Sequence, residues 1–254
     1  MKKTEIILRR VFPLMCSIAI LLILYNPLAA QEAERNLEQR IAQLEALLEK
    51  KTAEYDREIA RAQAAVEIQS VMGRYAFYYS AQRFELIKSL WSKKEDATFD
   101  RILGLEFVNK EGHQFGRQQV GLFRIHALST PVVEVAADGL TARATWISPG
   151  VDTNPRENGE VTANWCWIKY GGDFIKEDGE WKIWHLSAYG LFNTDYYTSW
   201  ADKEVGPLRR TFPDGSTSAR DDWNYAKDRL PVLEPVPPQP YNTWDEVDPG
   251  YRTW

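Results

Sequence analysis

The sequence predicts an α+β domain in which helices come first and a meander of antiparallel strands follows. Three observations carry this. From Glu32 to Ala65 there is no Gly or Pro, and apolar residues recur at steps of three and four. From Pro131 onward the text reads as strands: "PVVEVA", "TARATWIS", "VTANWCWIKYGGDFIKE" and "EWKIWHLSAYGLF". Asp138-Gly139 and Asp178-Gly179 fall between these runs, and such dipeptides close tight hairpins. Helical text followed by strand text is the order of an α+β domain.

At 254 residues, 44% hydrophobic and 26% charged, the chain supports one well-formed core with an appendage. Lys2, Lys3, Arg9 and Arg10 precede an apolar run from Val11 to Tyr25, and small residues Ala29 and Ala30 follow. That order predicts a signal peptide over residues 1–30, cleaved near Ala30, and a periplasmic or secreted protein. The alternative is an N-terminal membrane anchor, but the apolar run is shorter than the roughly 20 residues a spanning helix needs. Cleavage leaves 27 basic against 35 acidic residues, a net of −8. This balance argues against nucleic acid and anionic membrane surfaces as partners. Only Cys166 remains after cleavage, so no internal disulfide is possible, and its place in "NWCWIKY" predicts a packed, inert thiol.

Residues 31–63 form a helical arm, with Leu37, Ile41, Leu44 and Leu48 as its apolar seam. It is too short for a confident coiled coil and serves to pair with itself, to lie back on the domain, or as a spacer. The helical pattern restarts without a break at Ala64, where the domain begins, and Ile68, Val71, Met72, Tyr75 and Tyr79 share one face. Gly73 weakens that helix or admits a close neighbour. A short second helix, "RFELIKSLW", buries Phe84, Leu86, Ile87, Leu90 and Trp91 on more than one side. Residues 98–120 are mixed, with "NKEGHQFG" a loop, and "RQQVGLFRIHAL" predicts a third helix ending near Leu128. Among the strands, "PGVDTNPRENGE" reads as a polar loop. The domain ends near Asp195, and residues 196–254 form an extended Pro- and aromatic-rich tail that wraps the domain surface.

No phosphate loop, nucleophile elbow or zinc-type cysteine pair is present, and His113, His126 and His185 are dispersed, so no metal or cofactor is expected. His126, at a helix-to-strand junction, is either a proton shuttle or a residue that ties down backbone carbonyls. Tyr75 and Tyr79 stand one above the other, as core or as plates that stack an aromatic ligand and donate a hydrogen bond to an oxyanion. Gly171-Gly172 predicts a bulge that brings Tyr170 and Asp173 to one side, and the hairpin register sets His185 opposite Gly172, beside them. Trp146, Trp165, Trp167, Trp181 and Trp184 make the sheet strongly aromatic. They cannot all share one face, so some line a ligand site.

The segments "VMGRYAFYYSAQRFELIKSLW", "HALSTPVVEVAADGLTARATW" and "KYGGDFIKEDGEWKIWHL" together resemble the NTF2-like superfamily, specifically its SnoaL-like branch, over residues 64–195. The resemblance implies a cone of helices on a curved sheet around a ligand cavity, commonly as a dimer or trimer. Its enzymes include scytalone dehydratase, bile acid 7α-dehydratase, polyketide cyclases and lyases that release formaldehyde from diaryl compounds. They work without metal or cofactor, by proton transfer among Tyr, His and Asp. The family tyrosine corresponds to Tyr79 and the histidine to His126, whereas Ser80 stands where the dehydratases carry aspartate. Either Asp173 substitutes from the sheet, or His126 alone polarises an oxygen, or the protein only binds.

The reading is therefore a cofactor-independent lyase or isomerase that eliminates water or a small carbonyl such as formaldehyde from a hydrophobic, aromatic small molecule. His126, Tyr79, Tyr170 and Asp173 are its expected catalytic residues, and Tyr75, Ser80, Trp91, Trp146 and His185 its substrate contacts. The alternative is a binding or oligomerisation module that has lost the dyad.

Overall fold

A run free of Gly and Pro, rich in Ala, Glu, Gln and Leu, favours helix at nearly every position. In the computed structural model it forms one helix, α1 (Pro27–Ser80). The structure describes residues 27–99, 102–103, 118–201, 208–211, 217–220, 225, 230–231 and 233–246. The predicted signal segment before Pro27 and the loop containing His113 lie outside them. Among the described residues no helix is long and apolar enough to cross a membrane.

The chain divides between Asp56 and Arg57 into two units. In the first, the seam residues Leu37, Ile41, Leu44 and Leu48 are all exposed. The second unit carries the end of α1, then α2 (Phe84–Ile87), a 3-10 turn (Lys88–Leu90), and the strands. These are β1 (Thr98–Phe99), β2 (Ile102–Leu103), β3 (Arg124–His126), β4 (Ser129–Val135), β5 (Thr141–Ser148), β6 (Gly150–Pro155), β7 (Val161–Glu177) and β8 (Glu180–Asp195). The sheet order is β2-β1-β8-β7-β5-β4, with β6 on the remaining length of β7 and β3 on β6. All pairings are antiparallel except β1 with β8, so the sheet is mixed, curved and unclosed. This is the α+β class that the sequence predicts.

Ala64, Ile68, Val71, Met72 and Tyr75 of α1 pack on Ala142, Ala144, Trp146, Tyr170, Phe174, Ile183 and Leu186, forming the core. Strand alternation then assigns the two faces. Along β7, Cys166, Ile168, Tyr170, Gly172 and Phe174 face the helix, while Trp165, Trp167, Lys169, Gly171 and Asp173 face away. Ala boosts helix stability where Gly does not, and a Cβ on Gly73 would meet nothing within 4 Å. Gly73→Ala is therefore expected to raise stability by about 0.5–1 kcal/mol, read from chemical denaturation.

Several expectations change. The helix expected through "RQQVGLFRIHAL" is, from Gln118 on, a turn followed by β3: Gly121 at φ 82° ends any helical path, and Arg124, Ile125 and His126 then alternate in exposure. The polar loop at 149–160 contains β6, which β3 and β7 hold by pairing on both sides despite its Gly, Asn and Pro content. In the second helix Leu86 is exposed, unlike Phe84, Ile87, Leu90 and Trp91.

The Asp178-Gly179 turn is the two-residue hairpin expected, with both residues at positive φ and Glu177 opposite Glu180. The bulge, however, falls at Trp184 in β8 rather than at Gly171-Gly172. Phe174 pairs with Ile183 and Asp173 with His185, which leaves Trp184 as the extra residue. Leu186, not His185, therefore stands opposite Gly172.

The described tail residues cover part of the away face. Tyr241 and Asn242 accept backbone hydrogen bonds from Ala137 and Asp138 at 3.0 and 3.2 Å, and Lys169 Nζ donates to the Glu234 carbonyl at 3.0 Å. Trp244 lies 4.6 Å from the Trp184 ring. Earlier in the tail, β9 (Leu208–Thr211) and β10 (Thr217–Arg220) pair antiparallel as a separate two-stranded sheet.

Candidate functional site

The last turns of α1 carry Tyr75 and Tyr79, four residues apart and therefore on one face. Their rings stack at 5.9 Å and 16°. Tyr75 is core: it meets Tyr170 edge-on at 6.1 Å and Trp91 at 5.9 Å. Tyr79, closer to the helix end, is only half-buried, and its ring lies 6.2 Å from the imidazole of His126.

β3 brings Arg124 and His126 to the same face because they are two residues apart. Pairing carries that face across β6 and β7: Arg124 stands opposite Asp152, His126 opposite Gly150, and Asp152 opposite Asn164. Arg124 Nη1 donates to Tyr79 Oη at 3.1 Å, and its guanidinium lies 5.7 Å from the Tyr79 ring centroid. Asn164 Nδ2 donates to Asp152 Oδ1 at 3.2 Å. A nitrogen of His126, a carboxylate oxygen of Asp152 and Cys166 Sγ lie within 4.8 Å of one another. Asp152 and Arg124 were not singled out from the sequence.

Burial holds the His126 imidazole below its ordinary pKa. The Asp152 carboxylate pulls it back up in part, and the Arg124 guanidinium pushes it further down. The ring is neutral at pH 7 and ready to accept a proton. Its Nδ1 is buried and, among the described residues, without a hydrogen-bond partner. Burial pushes the Cys166 thiol up to about 12, so it stays protonated and is not a nucleophile. Burial likewise drives Tyr170 well above the usual phenol range, which leaves it a hydrogen-bond donor and never a base.

The His126, Asp152 and Cys166 set offers metal-binding atom types, but ligands at 2.0–2.3 Å from one tetrahedral ion stand about 3.5 Å apart, closer than this spread, and a guanidinium shares the face.

Gly150 makes room for the imidazole. A Cβ there would sit 2.5 Å from His126 Nδ1 and 2.7 Å from the carbonyl oxygens of Ile125 and Cys166. Two of these three neighbours are backbone and cannot yield cheaply. Gly150→Ala is expected to displace His126 and to cost about 1–3 kcal/mol, visible as a lowered denaturation midpoint and a shifted His126 NMR resonance.

The remaining expected residues separate into three places. Tyr75, Tyr170, Trp91 and Trp146 are on the helix-covered face, each at most 4% exposed, as core rather than as an open ligand wall. Ser80 donates its hydroxyl to the Phe77 carbonyl of its own helix at 3.0 Å, so it does not stand in for a dyad aspartate. Asp173 and His185 lie on the away face, because β7 has no bulge at Gly171-Gly172 and positions 170 and 173 therefore point oppositely. Asp173 does not serve His126. It accepts from Arg143 Nε at 3.3 Å and faces His185 Nδ1 at 3.1 Å, all three buried, with Trp184 stacked on His185 at 4.5 Å. The carboxylate on the His126 face is Asp152.

Among curated proteins none matches the chain. Solved structures similar to it include a protein assigned as a scytalone dehydratase from Novosphingobium aromaticivorans, at 17% identity and TM-score 0.45 over 59% of this chain and 96% of that one. A hexachlorocyclohexane dehydrochlorinase, LinA-type3 from Novosphingobium barchaimii, matches at 16% and 0.44 over 56% and 96%. The association domain of C. elegans CaMKII matches at 16% and 0.38 over 50% and 96%. The SnoaL-like domain family matches residues 60–187, half of the chain, from the end of α1 through the His126 face to the middle of β8. The chain belongs to the SnoaL-like domain family.

Proposed function

We propose that this chain is a lyase that acts on a hydrophobic aromatic small molecule without a cofactor, using His126 as the group that takes and returns a proton. The observation that carries the reading is a neutral imidazole with a carboxylate, Asp152, beside it and two fixed donors, Tyr79 and Arg124, on the same face. In a dehydration, the imidazole takes the C–H proton, the electron pair forms the new double bond as C–O breaks, and the imidazolium protonates the departing hydroxyl so that water leaves. In a deformylation, it takes the hydroxymethyl O–H proton, the C–C bond breaks, formaldehyde leaves, and the proton returns to the carbon that received the pair. In both, Tyr79 and Arg124 stabilise developing negative charge on oxygen, and Asp152 stabilises the imidazolium.

The test is a panel of aromatic alcohols and hydroxymethyl compounds, followed for new conjugation by absorbance and for released formaldehyde. Turnover by the wild type and its loss in His126→Ala support the reading. Turnover unchanged in the variant refutes it. A non-catalytic binding module is the second reading, favoured by Ser80 at the dyad position; it predicts ligand binding with no turnover across the panel. We further propose that the protein works after export and as a dimer or trimer. Sedimentation of the mature chain tests the assembly, with the exposed Leu37-Ile41-Leu44-Leu48 seam available for it.

A further inference from the structure

We infer that the ligand of this site is an aromatic carboxylate, its carboxylate gripped by Arg124; the inference rests on the placement of the reactive site at His126. Arg124 is half-buried, and among the described residues no carboxylate lies within 4.0 Å of its guanidinium. The carboxylate across the strand pair, Asp152, is engaged by Asn164 Nδ2 instead. A half-buried guanidinium with no carboxylate beside it among the described residues keeps donors to offer an anionic ligand.

The side chain is nonetheless held in one orientation. One of its five N–H groups is spent on Tyr79 Oη, and the cation lies near the Tyr79 ring. The remaining donors form the planar fork that matches a carboxylate in two parallel hydrogen bonds. Because Arg124 and His126 are two residues apart on one strand face, their Cα atoms are separated by roughly 6.5–7 Å. Both side chains therefore face the same side of the strand, next to each other and beside Tyr79. A benzoate-type ligand therefore places its carboxylate on Arg124 and its ring along Tyr79, with the substituent that reacts near the imidazole.

Binding alone tests this, without turnover. Benzoate and benzamide have nearly the same shape and differ in charge, and each is titrated against the mature protein with the affinity read by ligand-observed NMR. Benzoate is expected to bind at least tenfold tighter than benzamide to the wild type, the preference is expected to vanish in Arg124→Gln, and Arg124→Lys is expected to keep part of it. Circular dichroism confirms that each variant is folded, and the lysine variant preserves the test if the glutamine variant is not. Equal affinity for the two ligands in the wild type, or a preference that survives Arg124→Gln, overturns the inference. Repeating the titration with His126→Gln separates the two readings. A benzoate preference retained there, with no turnover on any panel compound by the wild type, sinks the lyase while leaving the carboxylate site standing.

Discussion

Asp173→Ala is expected to destabilise the domain by about 3–5 kcal/mol, read from the midpoint of urea unfolding. The residue is fully buried, and its two oxygens face Arg143 Nε at 3.3 Å and His185 Nδ1 at 3.1 Å. Removing it strips a buried guanidinium of its carboxylate, and the low-dielectric setting leaves that charge poorly compensated. Against a typical total of 5–15 kcal/mol, such a loss brings the protein near unfolding. The tail is part of the same structure. Trp244 lies 5.9 Å from His185, and Tyr241 Oη is 3.1 Å from Thr141 Oγ1, so a loosened Asp173 cluster should also release the tail and raise its protease sensitivity. Arg143→Met combined with Asp173→Leu is expected to recover most of the loss, because an apolar pair of similar volume carries no desolvation cost. The exposed Lys182–Glu180 contact at 2.7 Å provides the contrast, since Glu180→Gln should leave the midpoint where it is. A loss below about 1 kcal/mol for Asp173→Ala would show that water reaches the cluster and screens it.

The helix-then-sheet order, the α1 face from Ile68 to Tyr79, the long strands and the Asp178-Gly179 turn were all legible in sequence, because periodicity and turn chemistry are local. What the sequence does not show is where the pleat slips. A Gly-Gly pair is a reasonable place for a bulge, yet the extra residue is Trp184, where stacking on His185 and Trp244 and a hydrogen bond from Nε1 to Asp96 at 2.7 Å hold it. Those partners are distant in sequence, so nothing local signals them. Because the slip falls in β8, β7 stays regular, so Tyr170 and Asp173, three residues apart, face opposite ways, and the carboxylate expected to be catalytic is held by Arg143 and His185 instead. Asp152 was hidden for the opposite reason. Its surroundings, "PGVDTNPRENGE", have the composition of a loop, and only pairing with β3 and β7 makes them a strand. The alternation of Val151 and Thr153 with Asp152 was the available signal, and Pro149 and Pro155 on either side masked it.

Replacing His126 should have the largest effect on chemistry: His126→Ala is expected to lower kcat/KM by about 10²–10⁴ on any substrate the protein turns over. The pH dependence carries more information than the loss itself. Because burial holds the imidazole below its ordinary value, the base form predominates at neutral pH, and the midpoint of the acid limb of the wild-type rate should lie below 6.5. Among the described residues, the charged and titratable groups facing the ring are Asp152 on β6, Arg124 on β3, Cys166 on β7 and Tyr79 on α1. Of these, Asp152 is the one that raises the imidazole pKa, so Asp152→Asn should move the acid limb to still lower pH. It should also reduce kcat, because the imidazolium formed in the reaction loses its carboxylate. Stability runs in the same direction. A histidine whose folded pKa lies below its unfolded value favours the fold when neutral, since the unfolded chain binds more protons in the interval between the two values. Stability contributed by His126 is therefore complete above about pH 6.5 and falls as the pH drops through the interval, levelling off below the folded value. His126→Gln should flatten that slope in the unfolding midpoint while leaving the Asp173 cluster untouched. An acid limb that stays in place in Asp152→Asn would mean that the carboxylate beside His126 does not set its proton affinity, and the catalytic role of Asp152 would fall with it.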